Sequence, residues 1–296
     1  MSQTTQTPQT NKSALALQAP QNGGSSAPST LDWRAAFGFR TTPFTREIRP
    51  EDHFTLPLFD DAHNGLRRCV EGRMSAALIA PAGCGKTGLF RRLLASLPEA
   101  RYQVRYVKVT DLSKRDMCRE IAHACGAPPA GSYPVLVRRL QERFEGVSQT
   151  DGLRPVLLVD EAHEMRPDVL AMMRLLTNFQ MDSLLVLSIV LAGQPPLKAM
   201  LSRDDQQAIA RRLCHYATLR PLSRDELAQY IAHRCTVAGA DSPFDQGALD
   251  TIFEISRGNM RAADGLCLKA LERAALAKHK AVGSQHVLAA RKDLWP

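Results

Sequence analysis

The chain contains the stretch Ala80-Pro81-Ala82-Gly83-Cys84-Gly85-Lys86-Thr87, which lies between an apolar run and a helical pattern. The apolar run at 75–79 predicts a buried strand, and the one-sided apolar residues of 87–94 predict a helix. Small residues between the two let the backbone curve so that its N–H groups face a phosphate at a helix N-terminus. We therefore expect a phosphate-binding loop, and a flexible surface loop is the alternative.

Each residue of this loop has an expected role. Lys86 supplies positive charge for the β- and γ-phosphates of ATP, and Thr87 supplies a hydroxyl group for Mg²⁺. Ala80 stands where such loops usually begin with glycine, and we expect binding to be retained because alanine is small. The cysteine of the loop is expected to be sensitive to oxidation. The remaining predicted nucleotide-binding residues are Pro81, Ala82, Gly83, Cys84, Gly85 and Gly88.

A second stretch, 155–161, supplies two adjacent carboxylates. Four consecutive apolar residues at 156–159 predict a strand buried on both faces of a parallel sheet. Ligands of such sheets bind at the carboxyl ends of the strands, where Asp160 and Glu161 emerge. We expect Asp160 to hold Mg²⁺ through water and Glu161 to orient the attacking water, because phosphoryl transfer depends on positioning and charge stabilisation. His163 is either a neighbour of the γ-phosphate or a residue at a helix start.

Composition limits the classes of function. The 296 residues are 44% hydrophobic and 23% charged, which is typical of a globular chain with one large domain and one small domain. A net charge of +8 favours a polyanionic partner, nucleic acid first. The apolar run at 184–192 is shorter than the roughly 20 residues that cross a bilayer. With no signal-peptide pattern, we expect a cytoplasmic protein without a membrane partner. Seven cysteines without a Cys-x-x-Cys pair indicate neither a disulfide framework nor a metal site.

The chain divides into three predicted regions. Residues 1–30 are polar and rich in Gln, Ser, Thr, Pro and Gly, so we expect a disordered tail. Residues 31–220 alternate helices with four strands, at 76–80, 103–109, 155–159 and 186–192. This predicts an α/β domain with a parallel sheet flanked by helices. Residues 221–296 show only helical patterns, and a capping box at 223–226 opens the first of them, so we expect a small all-helical lid domain.

The arrangement of a phosphate loop, a parallel sheet and a helical lid resembles that of the AAA+ ATPases. Several short motifs, in their order, resemble the ExeA-type group, over about 37–288. They lie at 37–44, 174–179, 190–195, 219–222, 258–261 and 266–267. The resemblance implies an AAA+ P-loop NTPase fold, ATP hydrolysis, ATP and Mg²⁺ as cofactors, and a homo-oligomer as a ring or a filament.

Two functional branches of this group give different expectations. One branch assists assembly of a bacterial secretion apparatus and usually carries a membrane segment and a cell-wall-binding domain. The other comprises the TnsC- or TniB-type transposition ATPases, which assemble on DNA with ATP and recruit a transposase. A short basic chain favours the second branch. The main alternative is a secretion or envelope-assembly ATPase with protein partners only, and a weaker one is a replication-initiator-like or helicase-loading ATPase.

The resemblance also assigns roles to three residues outside the loop. Gln194 corresponds to a sensor near the γ-phosphate. Arg212 corresponds to an arginine finger that reaches the nucleotide of a neighbouring subunit, with the adjacent Arg211 as the alternative. Arg261 corresponds to a second sensor in the lid, although Met260 stands where the family often has proline.

The expected DNA contacts are basic residues along the second strand and the helix after it. Phosphate contacts need Lys or Arg on one exposed surface. Lys108, Lys114 and Arg115 form the tighter group, whereas Arg105 is three residues from Lys108 on a strand and cannot share its face. The related transposition ATPases line their DNA path with this region. The alternative is a charged start of a surface helix. No base-reading motif is present, so we expect duplex DNA binding with little sequence preference.

Overall fold

The computed structural model describes residues 32–294 and contains a five-stranded parallel sheet. The strand order is β2-β3-β4-β1-β5, and all four pairings are parallel, which confirms the predicted fold class. The predicted tail, 1–30, lies outside the described residues. The strands are β1 (Ser75–Ile79), β2 (Tyr102–Lys108), β3 (Arg154–Asp160), β4 (Ser188–Gly193) and β5 (Leu213–Thr218).

Helices cover both faces of this sheet. Neighbouring side chains of a strand point to opposite faces, and Ala77 and Leu78 accordingly belong to two different hydrophobic clusters. Such double burial explains why the strands read as continuous apolar runs. The helices before the last strand are α1 (Trp33–Ala36), α2 (Pro57–Glu71), α3 (Lys86–Ser96), α4 (Lys114–Cys125), α5 (Tyr133–Gln149), α6 (Pro167–Leu176), α7 (Pro196–Leu201) and α8 (Gln207–Ala210).

The strand β5 is a difference from the four strands that the sequence predicts. It lies at the sheet edge beside β1, and its register shifts opposite Ser75 and Ala76. Exposure along β5 still alternates, with Leu213 and Ala217 buried and every second residue exposed. The polar His215 occupies the inner position between them, so the strand lacks the apolar period of two by which strands are recognised.

Helix boundaries follow local capping rules. Helix α2 begins at Pro57, because proline is suited to the first turn. The Ser113 side chain caps α4 by accepting the Asp116 N–H. The predicted capping box of Ser223 and Glu226 is confirmed at the start of the first C-terminal helix.

Residues after 221 form four helices that share a core with the sheet. One hydrophobic cluster contains Leu66 and Leu78 together with Leu227, Leu266 and Leu271. The C-terminal helices are α9 (Arg224–Val237), α10 (Gln246–Ser256), α11 (Met260–Leu276) and α12 (Ser284–Leu294). No described helix has the length and apolar composition needed to cross a membrane.

A glycine fixes where α11 begins. Gly258 has a φ of +75°, and a Cβ atom there would lie 2.0 Å from the Leu222 carbonyl oxygen. The Leu222 N–H also donates to the Gly258 carbonyl oxygen at 2.9 Å. Only glycine fits this approach of two backbones, and it directs the N-terminus of α11 toward the phosphate loop.

Candidate functional site

A cleft of about 540 Å³ opens at the carboxyl end of β1. Its walls come from the predicted phosphate loop, from the N-terminal segment 44–54, and from α9 and α11. The size is suitable for a small-molecule ligand, because such sites span about 300–1,000 Å³. The predicted residues that line it are Ala82, Gly83, Gly85, Lys86, Thr87, Gly88, Glu161 and Arg261.

The phosphate loop has the backbone that its sequence predicts. Gly83 and Gly85 have φ values of +76° and +88°, which glycine adopts at low cost. Helix α3 begins directly afterwards at Lys86, so the loop ends at a helix N-terminus that favours anions. The buried Lys86 ammonium donates to the carbonyl oxygens of Ala80 and Pro81, at 3.2 and 3.4 Å. These features fit a polyphosphate.

Two residues of the predicted phosphate loop, Pro81 and Cys84, do not line the cleft. Cys84 is buried, and that burial raises the pKa of its thiol. Because a buried, protonated thiol is inert, the structure does not support the expected sensitivity of Cys84 to oxidation.

Asp160 lies beside the loop and accepts three hydrogen bonds. Its Oδ2 accepts from the Thr87 hydroxyl and from the Tyr106 hydroxyl, each at 3.2 Å, and its Oδ1 accepts from the Glu161 N–H at 2.8 Å. Carboxylate and hydroxyl oxygens are ligands that Mg²⁺ prefers. Thr87 and Asp160 are thus placed as the sequence predicts for a Mg²⁺ site, and the residues fit that ion.

Tyr106 is a site residue that sequence reasoning missed. Burial first, and then the neighbouring Asp160, raise the pKa of its hydroxyl to about 12, so the group remains a donor at neutral pH. An aromatic residue in a strand is ordinary β-propensity. The sequence therefore carries no signal that distinguishes Tyr106 from a packing residue.

Glu161 lies beside His163, and His163 in turn contacts Gln194. Glu161 has a φ of +55°, a costly conformation that occurs most often at functional sites. Its Oε2 lies 3.5 Å from His163 Nδ1, and His163 Nε2 lies 2.7 Å from Gln194 Nε2. His163 thus lies beside the acid and within a one-turn 3-10 helix at 162–164, and its role stays a prediction. Gln194 does not itself line the cleft, so its sensor role stays a prediction.

The start of α11 touches the phosphate loop directly. The Asn259 side-chain amide donates to the Ala82 carbonyl oxygen at 2.6 Å, and its Oδ1 accepts the Ala262 N–H at 3.1 Å. The Arg261 N–H donates to the Gly83 carbonyl oxygen at 3.3 Å. The helix begins at Met260 without a proline, because Asn259 caps it. Arg261 is thus held at the cleft, where the sequence places it.

A buried polar network forms the wall opposite the loop. Arg234, with a side chain 4% exposed, donates to the Thr45 carbonyl oxygen and the Tyr230 hydroxyl oxygen, each at 2.7 Å, and lies 3.3 Å from both Asp264 oxygens. Burial raises the pKa of Asp264 to about 6, against the opposing effect of Arg234. All four residues line the cleft. The sequence does not predict this network, because each charge reads as a solvated helix residue.

The cleft therefore has two chemically different ends. Cations and backbone N–H groups surround the loop end, whereas Phe44, Ile48, Phe54 and Phe59 provide apolar surface elsewhere. A nucleotide has the same division between an anionic polyphosphate and a flat base. The arrangement can hold such a molecule with Glu161 near its phosphates.

Comparison with known families agrees with this geometry. Residues 67–201 match the family model described as AAA domain. The sheet, phosphate loop and C-terminal helices of the chain have the AAA+ P-loop fold, and the prediction of an AAA+ ATPase is confirmed at that level.

Sequence similarity extends beyond the AAA domain. The chain is 31% identical over 259 residues to General secretion pathway protein A of Aeromonas hydrophila. The matched region covers 86% of this chain and 47% of that protein. The chain thus spans about half the length of this curated relative.

Solved structures share the fold at low identity. Cdc6p from Pyrobaculum aerophilum has a TM-score of 0.68 at 17% identity. The superposed region covers 84% of this chain and 70% of the Cdc6p chain. Aeropyrum pernix ORC1, solved in complex with DNA, has a TM-score of 0.61 at 20% identity, and covers 82% and 67%. These likenesses show the AAA+ fold alone.

Neither candidate for the arginine finger, Arg212 or Arg211, lines the cleft of its own chain. Arg212 follows α8 and makes a bidentate ion pair with Asp182, at 2.5 and 2.7 Å. Arg211 instead donates to the Gln207 side chain at 3.1 Å. Asp182 was not predicted as a partner, since it lies 30 residues away in a loop.

The four predicted DNA contacts differ in their surroundings. Lys108 is exposed at the carboxyl end of the edge strand β2, whereas Arg105 is partly buried, so the two do not share a face. Lys114 lies 3.6 Å from Asp168, and the Arg115 Nε donates to the Gly131 carbonyl oxygen at 3.1 Å. Lys108 has no ion-pair partner within residues 32–294.

Proposed function

We propose that this AAA+ ATPase assembles with ATP into a homo-oligomer on duplex DNA and acts in DNA transposition, where it recruits a transposase. The observation that carries the nucleotide part is the cleft itself. It brings Lys86, Thr87 and Glu161 to one wall and Arg261 to the other, with Asp160 bonded to Thr87. Residues separated by up to 175 positions converge on one ligand-sized space.

Each residue has a role in binding and hydrolysis. The loop N–H groups and Lys86 bind the phosphates, and Thr87 and Asp160 would hold Mg²⁺, which neutralises charge on the phosphates when bound. Glu161 orients the attacking water, and His163 lies beside its carboxylate. Arg261 contacts the nucleotide from α11 and so links nucleotide state to the lid.

The position of Arg212 supports assembly. Arg212 does not line the cleft of its own subunit, so we assign it to the nucleotide of a neighbouring subunit. An arginine finger contributes about 10³–10⁵ in turnover. We therefore expect the single subunit to bind ATP and to hydrolyse it slowly, and the assembled form to hydrolyse it faster.

The DNA part is supported by charge. The chain has a net charge of +8, and Lys108, Lys114 and Arg115 lie on the last position of β2 and on the start of α4. The solved AAA+ structures of similar fold include ORC1 of Aeropyrum pernix and ORC of Drosophila, each bound to DNA. No base-reading motif is present in the sequence, so the proposed binding has little sequence preference.

Fluorescence anisotropy with random-sequence duplex DNA tests this proposal. We expect binding that requires ATP and that weakens steeply with salt, because each neutralised phosphate contributes about 0.9 to the slope of log K against log salt. The Lys108→Ala, Lys114→Ala double variant should lower this slope, whereas Arg257→Ala, which removes an exposed charge in the C-terminal region, should not. No binding at low salt with ATP contradicts the DNA assignment.

A second function, in secretion or envelope assembly with protein partners only, is favoured by a specific observation. It is the 31% identity to General secretion pathway protein A. Under this function the ATPase is retained while duplex DNA neither binds nor stimulates hydrolysis. A transposase from the same mobile element should then fail to bind the ATP-loaded protein, whereas the transposition function predicts ATP-dependent capture.

A further inference from the structure

The ion pair between Arg212 and Asp182 joins two firmly placed backbones. Arg212 precedes β5, and its N–H donates to the Ile209 carbonyl oxygen at 3.0 Å. Asp182 lies in a tight loop closed by a bridge between Phe179 and Leu184, and its N–H donates to the Phe179 carbonyl oxygen at 2.9 Å. Each guanidinium Nη atom of Arg212 donates to a different carboxylate oxygen of Asp182. This fork geometry is the strongest that an arginine makes with a carboxylate.

The loop that carries Asp182 stands at the protein surface. Gln180, Met181 and Asp182 are consecutive residues with positive φ, from 47° to 70°. The Met181 side chain between them is 98% exposed. The Asp182 side chain is 52% exposed and that of Arg212 is 21% exposed. Another macromolecule can therefore reach the ion pair without any unfolding of the chain.

We propose that Asp182 is a positioning residue that holds Arg212 on its own subunit until a second copy of this chain binds. The proposal rests on the proposed function, because it assumes that Arg212 serves a neighbouring nucleotide. The guanidinium cannot remain forked on Asp182 and also extend to a phosphate of another subunit. Assembly must therefore break the pair, and the free energy of the pair is subtracted from the free energy of assembly.

The size of this effect follows from the exposure of the pair. A partly exposed ion pair contributes about 0.2–1 kcal/mol, and about 1.4 kcal/mol corresponds to a tenfold change in an equilibrium constant. Removing the pair should therefore shift the protein concentration for half-maximal assembly by about 1.4- to 5-fold. Turnover at saturating protein should not change, because Arg212 is free of Asp182 in the assembled state.

Asp182→Asn is the suitable test variant. Asparagine tolerates positive φ as well as aspartate does, so the loop backbone is retained while the charge is lost. Asp205→Asn is the matched control, because Asp205 is also 52% exposed and pairs with Arg203 at 3.0 Å, without any link to Arg212. Both variants change the net charge equally.

Two measurements read out the shift. Sedimentation velocity with ATP, in a Glu161→Gln background that hydrolyses slowly, measures self-association without relying on activity. Steady-state phosphate release against protein concentration measures the onset of hydrolysis. We expect Asp182→Asn to lower both midpoints by about 1.4- to 5-fold, and Asp205→Asn to leave both unchanged.

Two outcomes overturn the proposal: midpoints of Asp182→Asn equal to those of Asp205→Asn, or a lower turnover of Asp182→Asn at saturating protein. The second would mean that Asp182 orients the finger within the assembly. The failure of this proposal is distinguishable from that of the finger assignment. If only this proposal fails, Arg212→Ala still loses turnover at every protein concentration. If the finger assignment fails, Arg212→Ala keeps wild-type turnover.

Discussion

Replacing Arg234 by methionine should strongly destabilise the fold while leaving a side chain of similar length. Arg234 connects the N-terminal segment to α9 and α11 through Thr45, Tyr230 and Asp264. The substitution leaves the Thr45 carbonyl oxygen and the Asp264 carboxyl group buried without their charged donor. Removing one partner of a buried ion pair costs about 3–5 kcal/mol, and we expect a loss of free energy of unfolding in this range.

The same network predicts a pH dependence with a definite sign. The pKa of Asp264 is about 6 in the fold against a usual value of 3.8, mainly because of burial. Between these values the folded state binds more protons than the unfolded state, so stability falls as the pH rises through this window. Two pKa units correspond to about 3 kcal/mol, an upper bound for a side chain that is 22% exposed. Asp264→Asn should abolish this contribution.

Urea unfolding followed by circular dichroism measures both effects. Arg234→Met is compared with the wild type at pH 7.5, and the double variant Arg234→Met, Asp264→Leu serves as the control. An apolar pair of similar volume should recover part of the loss, because it leaves no uncompensated charge. A loss below about 1 kcal/mol for Arg234→Met, the size of an exposed pair, would refute the reasoning.

Four further predictions concern catalysis and local structure. Glu161→Gln should keep ATP affinity and lower phosphate release by at least about 10²-fold, and wild-type release would remove Glu161 from the water-orienting role. Ser223→Ala should cost about 1 kcal/mol of thermal stability by removing the helix cap. Hydrogen bonding to Arg220 lowers the pKa of Glu226 to about 2, so the stabilisation by Glu226 is complete above about pH 4.5 and is lost as the pH falls toward 2. Gly258→Ala should lower the melting temperature and weaken ATP binding, as differential scanning fluorimetry with and without ATP would detect; unchanged values of both would show that α11 does not need this close backbone approach.

The central parts of the site were predictable from the sequence because they are local. The phosphate loop is a continuous stretch between a strand and a helix, and the acidic pair follows a strand with an unambiguous apolar run. Parallel strands bring such carboxyl ends to one edge of the sheet. This is why Thr87 and Asp160 are hydrogen bonded although they are 73 residues apart.

The rest was unpredictable because it depends on tertiary contacts between ordinary residues. Asn259 reads as a helix cap, and its second bond, to Ala82, crosses 177 residues. Arg234 and Asp264 read as solvated charges on two helices. The strand β5 was missed because the polar His215 lies at an inner position of a short strand, and its pairing with β1 is a tertiary contact. In each case the deciding interaction is absent from the local pattern.

Calorimetric titration with ATP tests the central claim, that the cleft between the phosphate loop and α11 binds a Mg²⁺-dependent nucleotide. The account predicts saturable ATP binding that weakens when Mg²⁺ is removed and is lost in Lys86→Ala. The control Lys269→Ala, which removes a surface lysine paired with Glu272, should bind as the wild type does. Equal binding by Lys86→Ala and the wild type, or no heat of binding in either, would contradict the account.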